Sequence, residues 1–276
     1  MNKNELTVTP LGTVSPYSKD NKNCPGFLIE YNGYKILLDC GEGITRLLNL
    51  PNDLNNLIII ISHLHKDHYS GLSSIAYASY VYKNFGYLRD KIKVFIPSDD
   101  TYNAKELYQD EQGWPRSKTI TRNIIDYEYL MNYVTENYLE FIPYTPNTKI
   151  HHGNFKIAQR YTKHQLTTYS IKIEADNKSI VYSADTGFDN KELSSFAKNT
   201  DLFICESTFL RGQFKGDDNH LYAYEAAEIA KDENVAQLLL THFWPETDKQ
   251  LYVDEAKEIF SNTEAAEEGK KLILRR

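Results

Sequence analysis

The chain has 276 residues, with 31 Lys and Arg against 38 Asp and Glu, a formal net charge of −7. That length can bury a full core, and 41% hydrophobic against 25% charged residues excludes a wholly disordered chain. The acidic balance excludes a protein that coats nucleic acid with a broad basic face, and no apolar run nears the ~20 residues of a membrane-spanning helix. In chain order, residues 6–11 read as a strand, followed by a loop of Gly, Ser, Pro and Asn. Residues 26–31 and 34–39 flank Asn32-Gly33, a strong hairpin signal. Asp39-Cys40-Gly41-Glu42-Gly43 then leads into a helix predicted over 44–50. Residues 57–61 are apolar throughout, which predicts a strand buried on both faces. A helix is predicted over 70–82, a strand over 91–96 and a helix over 101–111. Residues 112–137 are polar and aromatic without linker character, so 101–137 is expected to be an insertion on a single domain spanning 1–276.

From residue 138 the β pattern returns, with strands predicted over 139–144, 155–161, 169–174 and 179–183. Asp176-Asn177 makes the turn between the last two. The rest alternates: helix 190–197, strand 202–205, helix 222–231, strand 237–240 and helix 249–260. Two halves that each begin with hairpins and end with strand–helix units predict an α+β fold. Its form is an αββα sandwich, two mixed β-sheets flanked by helices. Cys24, Cys40 and Cys205 are odd in number and widely spaced. They point away from a disulfide framework or a cysteine zinc site, and with a polar N-terminus they lead us to expect a cytoplasmic protein.

Three of the eight histidines fall within His63-Leu64-His65-Lys66-Asp67-His68. His63 and His65 are two apart, so in extended backbone they point to one side. Asp67 and His68 follow where the chain turns toward a helix. The hexapeptide can offer two imidazoles to one metal, and a carboxylate with an imidazole to a second. Imidazole and carboxylate without thiolate suit Zn2+, Mn2+ or Fe. Two metals ~3.5–4 Å apart form a clamp used to hydrolyse phosphodiesters. Further candidate ligands stand just after predicted strands: His164, Asp185 in Ser183-Ala184-Asp185-Thr186-Gly187, and His242 in Thr241-His242-Phe243. Strand-end loops on a rigid sheet are where sites are commonly built.

The set Leu11-Gly12-Thr13, Asp39 to Gly43, Ser62 to Gly71, His164, Asp185 and His242 resembles the metallo-β-lactamase superfamily over nearly the whole chain. The resemblance implies a two-metal hydrolase, with Zn2+ as the expected ion and Mn2+ as the alternative. It assigns His63, His65 and His164 to one metal, and Asp67, His68 and His242 to the other, with Asp185 bridging. Cys205 to Phe209, His220 and Ala226-Ala227 resemble the tRNase Z group of phosphodiesterases, in which a Glu and a His act as a proton-relay pair. That makes Glu206 and His220, with Asp67, the expected catalytic residues. The tRNase Z enzymes also carry a long basic arm between the third and fourth ligand motifs. Here only 20 residues separate His164 from Asp185, so a large RNA is not the expected substrate.

Residues 10–17, 23–26 and 61–69 resemble the anti-Pycsar phosphodiesterases, tRNase Z-like proteins of phages and bacteria that degrade cyclic mononucleotides. The resemblance implies a small nucleotide substrate, a homodimer and, for a phage-encoded chain, action in the host cytoplasm against cyclic-nucleotide defence signalling. The competing readings are an RNA 3′-processing endonuclease and a non-catalytic nucleotide sponge. His151 and His152 are adjacent, face opposite ways on a strand and cannot both serve one site. Gly41 and Gly43 are expected to meet backbone demands near the metals. Trp114 and the tyrosines of 127–138 are expected to be packing residues.

Overall fold

The computed structural model describes residues 5–98, 102–109, 115–122, 137–213 and 218–275. Its first strands are β1 (Leu6–Gly12), β2 (Gly26–Tyr31), β3 (Tyr34–Leu38), β4 (Leu57–Ile60) and β5 (Ile92–Pro97), with helices α1 (Lys66–Tyr69) and α2 (Leu72–Asn84) between β4 and β5. Then come β6 (Tyr102–Gln109), β7 (Pro115–Arg122), β8 (Leu139–Tyr144), β9 (His151–His152), β10 (Phe155–Tyr161), β11 (Tyr169–Ala175) and β12 (Lys178–Tyr182). The last third holds α3 (Lys191–Ala197), β13 (Leu202–Glu206), α4 (Ala223–Asp232), β14 (Leu238–Thr241), α5 (Lys249–Lys257), β15 (Thr263–Ala265) and β16 (Leu272–Leu274).

Two seven-stranded sheets form, in the orders β16-β1-β2-β3-β4-β5-β8 and β15-β14-β13-β12-β11-β10-β9. Each begins with antiparallel hairpins and continues as parallel strands: β3-β4-β5-β8 in the first, β12-β13-β14-β15 in the second. Strand alternation builds the layers. Ile58 and Ile60 point between the sheets, with Phe27, Ile171, Tyr182 and Ile204 in one core cluster. Ile59 and Ile61 point outward, against Leu72, Ile75 and Ala76 of α2. On the far side Val181, Phe203 and Leu240 meet Leu193, Ala226 and Tyr252 from the three later helices. The four layers are the expected αββα sandwich, and the period-2 strands and helical faces explain them directly.

Local chemistry sets the joints. Asn32 and Gly33 take φ of 51° and 81°, which matches the strand-twisting hairpin turn their identities favour. Asn190 caps α3 by accepting from the Glu192 and Leu193 amides, and Asp248 caps α5 by accepting from Gln250.

Two expectations are corrected, and one pair of strands is new. The helix over 44–50 is one 3-10 turn, Ile44–Arg46, because Gly43 sits at φ 89° before it and Pro51 restricts the residue that precedes it. The helix over 101–111 is instead strand β6, paired antiparallel with β7. Short terminal strands β15 and β16, unforeseen, cover sheet edges beside β14 and β1. Trp114 and residues 123–136, including Tyr127, lie outside the described residues. Among the described residues no helix is long and apolar enough to cross a membrane.

Candidate metal centre

The hexapeptide follows the buried strand β4. His65 keeps extended backbone (ψ 144°) before α1 begins at Lys66, so the loop delivers His63 and His65 and the helix delivers Asp67 and His68. Two backbone bonds clamp this turn to the end of β3: Cys40 N–H donates to the His68 carbonyl (2.7 Å), and Gly71 N–H to the Cys40 carbonyl (2.8 Å). The fit is close enough to demand glycine. A Cβ on Gly41 would stand 2.3 Å from the Asp67 carbonyl oxygen. His164 arrives from the loop after β10, Asp185 from the loop after β12 and His242 from the end of β14, with His242 at φ 64°.

These seven side chains converge. His63 Nε2 lies 2.9 Å, and His164 Nε2 3.1 Å, from His65 Nδ1. Asp185 Oδ2 lies 3.4 Å from His63 Nε2 and 3.8 Å from His164 Nε2. Its other oxygen lies 3.4 Å from His68 Nε2 and 3.1 Å from His242 Nε2. Asp67 Oδ2 sits 3.4 Å and 3.8 Å from the same two nitrogens. Two donor groups result, His63–His65–His164 and Asp67–His68–His242, with Asp185 reaching into both. Within each group the candidate ligand atoms lie within 4.8 Å of one another.

The residues fit a metal. His68 Nε2, Asp185 Oδ1 and His242 Nε2 are buried side-chain atoms without a hydrogen-bond partner, and such orphans are costly unless a ligand completes them. Burial, then positive charge at His68, holds the His63 imidazole down to about 3. Burial, then His164, holds His65 down to about 4. Both keep lone pairs free, the state a metal requires. His68 behaves oppositely. Burial opposes its charge, but Asp185, Asp39 and Asp67 together hold its pKa well above the ordinary value. Burial pushes Asp67 and Asp185 upward, yet the imidazoles around them hold both below the usual carboxylate range. Three carboxylates around one imidazole form a centre short of positive charge, which a divalent cation can supply.

Residues the sequence reasoning left without a role orient the donors. Asp39 accepts from the Ser62 amide (2.6 Å), the Ser62 hydroxyl (2.8 Å) and the Tyr182 hydroxyl (2.7 Å), and lies 2.7 Å from His68 Nδ1. Ser15 Oγ donates to Asp67 (2.8 Å), and Thr208 Oγ1 lies 2.8 Å from His242 Nδ1. His164 Nδ1 lies 3.1 Å from the Asn219 carbonyl. Such outer contacts fix tautomer and ring orientation. Asp39 carried one faint signal, its place in the Asp39–Gly43 turn.

Glu206 and His220 also meet, at 2.9 Å between Oε1 and Nδ1. Glu206 is buried, and it accepts from the Thr186 and Leu221 amides and the Thr208 hydroxyl. Burial raises its pKa, but His220 outweighs that and keeps the carboxylate ionised. The His220 ring stacks 5.4 Å from His242 and lies 5.2 Å from His164, so it stands beside both donor groups. His151 is exposed and His152 contacts the Asn56 carbonyl, away from this cluster.

The family described as "Anti-Pycsar protein Apyc1" matches residues 6–256. The chain belongs to this family. A curated relative, "Probable metallo-hydrolase YhfI" of Bacillus subtilis, is 25% identical over 86% of this chain and 86% of its own length. "Ribonuclease Z" of Clostridium kluyveri is 28% identical over 94% of this chain and 95% of its own. The crystal structure of the metallo-β-lactamase fold protein YhfI superposes with a TM-score of 0.80 at 24% identity, covering 98% of this chain and 100% of that one. Human tRNase Z, short form, gives 0.67 at 17%, covering 96% and 98%. The fold is therefore that of the metallo-β-lactamases. With the His/Asp cluster, membership of the Apyc1 family makes the chain a metal-dependent hydrolase.

Proposed function

We propose that this hydrolase is a phosphodiesterase that opens 3′,5′-cyclic mononucleotides, such as cCMP, cUMP, cAMP and cGMP, to linear nucleotides. The observation that carries the reading is the convergence of seven histidine and aspartate donors beside the pair of buried Glu206 and half-buried His220. One ion is assigned to His63, His65 and His164, and a second to Asp67, His68 and His242, with Asp185 shared. Zn2+ suits these donors, and Mn2+ is the alternative. Bound divalent ions there supply an activated water and neutralise charge on the phosphate. The chain's own residues do the rest. Asp39, Ser15 and Thr208 hold the donors in place. Water adds to phosphorus, the P–O3′ bond breaks, and His220 gives the departing 3′-oxygen its proton while Glu206 steadies the ring through Nδ1. Opposition to cyclic-nucleotide antiphage signalling in the cytoplasm would follow.

The ribonuclease Z relatives support a second reading, RNA 3′ processing, under the broader heading of a metal-dependent phosphoesterase. Against it, the stretch between His164 and Asp185 is occupied by strands β11 and β12, paired with each other, which leaves no room for a long RNA-gripping arm. One assay separates the readings: the four cyclic nucleotides and a precursor tRNA, each with Zn2+ or Mn2+. Linear monophosphates support the proposal. Cleaved tRNA alone would sink it, and nucleotide binding without turnover would mean a sponge. The proposed assembly is a homodimer, supported by exposed Tyr77, Tyr80, Val81 and Phe85 on and just after α2. A monomer by light scattering at micromolar concentration would remove it.

A further inference from the structure

Two loops meet at the edge of the metal centre, and the contact between them is specific. The Ser15 amide donates to the Phe243 carbonyl (3.0 Å), and the Phe243 amide to the Thr13 carbonyl (2.9 Å). Each loop also holds one side of the cluster. Ser15 bonds Asp67, and His242 is itself a candidate ligand. Two residues further along, each loop carries an aromatic ring. Tyr17 and Trp244 lie 6.2 Å apart, edge to face at 72°. They remain 43% and 40% exposed, although large rings gain most when covered. Glu246 ties the corner down: its Oε1 accepts from the Tyr17 hydroxyl (3.0 Å) and from Lys19 Nζ (2.7 Å), while Lys22 Nζ donates to the Pro245 carbonyl (2.7 Å). Three polar contacts therefore fix two half-open rings on the Asp67–His242 side.

A phosphate at the cluster leaves its nucleoside pointing outward, and two residues of chain span at most ~7 Å. Trp244 is that close in sequence to His242, so its backbone lies within ~7 Å of that donor's. We infer that Trp244, braced by Tyr17, is the platform on which the nucleobase of the substrate stacks. A π face accepts any base, so this corner sets affinity for nucleosides as a class and only weakly discriminates among the four. The inference rests on the proposed cyclic-nucleotide reading, since it deepens the same site.

Two readouts test it separately from that reading. The first is kinetic. Trp244→Ala should raise KM for cyclic nucleotides roughly 5- to 100-fold with kcat little changed, and Trp244→Phe should recover most of the loss. The second needs no turnover. The chain has two tryptophans, Trp114 and Trp244. In a Trp114→Phe background, a cyclic nucleotide should quench the remaining fluorescence, and ribose 5-phosphate should not. If the wild type hydrolyses cyclic nucleotides while Trp244→Ala keeps its KM and no quenching occurs, the platform is wrong and the function stands. If nucleotides quench Trp244 but none is hydrolysed, the function is wrong and the platform stands. Equal quenching by ribose 5-phosphate would overturn the stacking role.

Discussion

The two ends of the metal cluster are built on different electrostatics. At the His63–His65–His164 end burial holds the His63 and His65 imidazoles down, and Asp185 brings the most negative charge. The Asp67–His68–His242 end surrounds His68 with Asp185, Asp39 and Asp67, which hold its pKa well above the ordinary value. At one end His63 and His65 offer preformed lone pairs. The other must exchange a proton for its ion, and its affinity should rise more steeply with pH. Similar residue types thus give two unequal sites because two further carboxylates, Asp67 and Asp39, stand around one of them.

Asp185 is common to both ends, so its loss should have the largest effect. Asp185→Asn is expected to bring hydrolysis to background and to lower the bound metal measured by elemental analysis at both positions. Loss of a single ion would mean that Asp185 belongs to one end only. His220 stands beside His242 and His164 but is assigned to neither ion, so its effect should be chemical. His220→Ala is expected to cost ~10²- to 10⁴-fold in kcat on a cyclic nucleotide and far less on bis-p-nitrophenyl phosphate, whose leaving group needs no proton. Equal losses on both substrates, or reduced metal content, would reassign it to the ligand shell.

The third test addresses the difference between the ends themselves. Asp39→Asn keeps the shape but removes the charge behind His68, and should weaken one ion by ~10- to 100-fold while the other holds. Chelator competition followed by metal analysis resolves the two. If both ions loosen together, the ends are not independent. The smallest effect is expected from Thr208→Val. It removes the hydroxyl between His242 and Glu206, and should reduce kcat by about tenfold through both partners. A change in metal affinity alone would place Thr208 with His242 and not with the proton donor.

The parts that could be read from the chain were the local ones. His63 to His68 supply four donors within six residues, and their geometry needs only an extended loop and one helical turn. Most longer strands of both sheets showed as short β-branched or apolar runs between turn signals, and Asn32-Gly33 showed its turn. What escaped depended on distant partners. Asp39 gains its role from Tyr182, 143 residues away, and from a loop 23 residues on. Residues 104–107, Ala-Lys-Glu-Leu, are good helix formers, yet pairing with β7 makes them a strand. Strands β15 and β16 are three residues each, too short to show a period, and exist because β14 and β1 offer them an edge. His164, Asp185 and His242 were candidates from their strand-end positions, but which metal each would serve came only from the family pattern.

The hydrogen bond from Tyr182 to Asp39 has a consequence for how this protein matures. Tyr182 belongs to one sheet and Asp39 to the end of a strand in the other, and both are fully buried. Neither half of the sandwich can complete the carboxylate-rich end alone, because that end waits for the halves to dock in register. Metal uptake should therefore follow closure of the interior, at the other end as well, since His164 comes from the second sheet and His63 and His65 from the first. A chain that carries its full complement of ions has, in effect, been proofread for correct docking, and one that dimerises or aggregates through a half-formed sandwich should be recognisable by the ion it lacks.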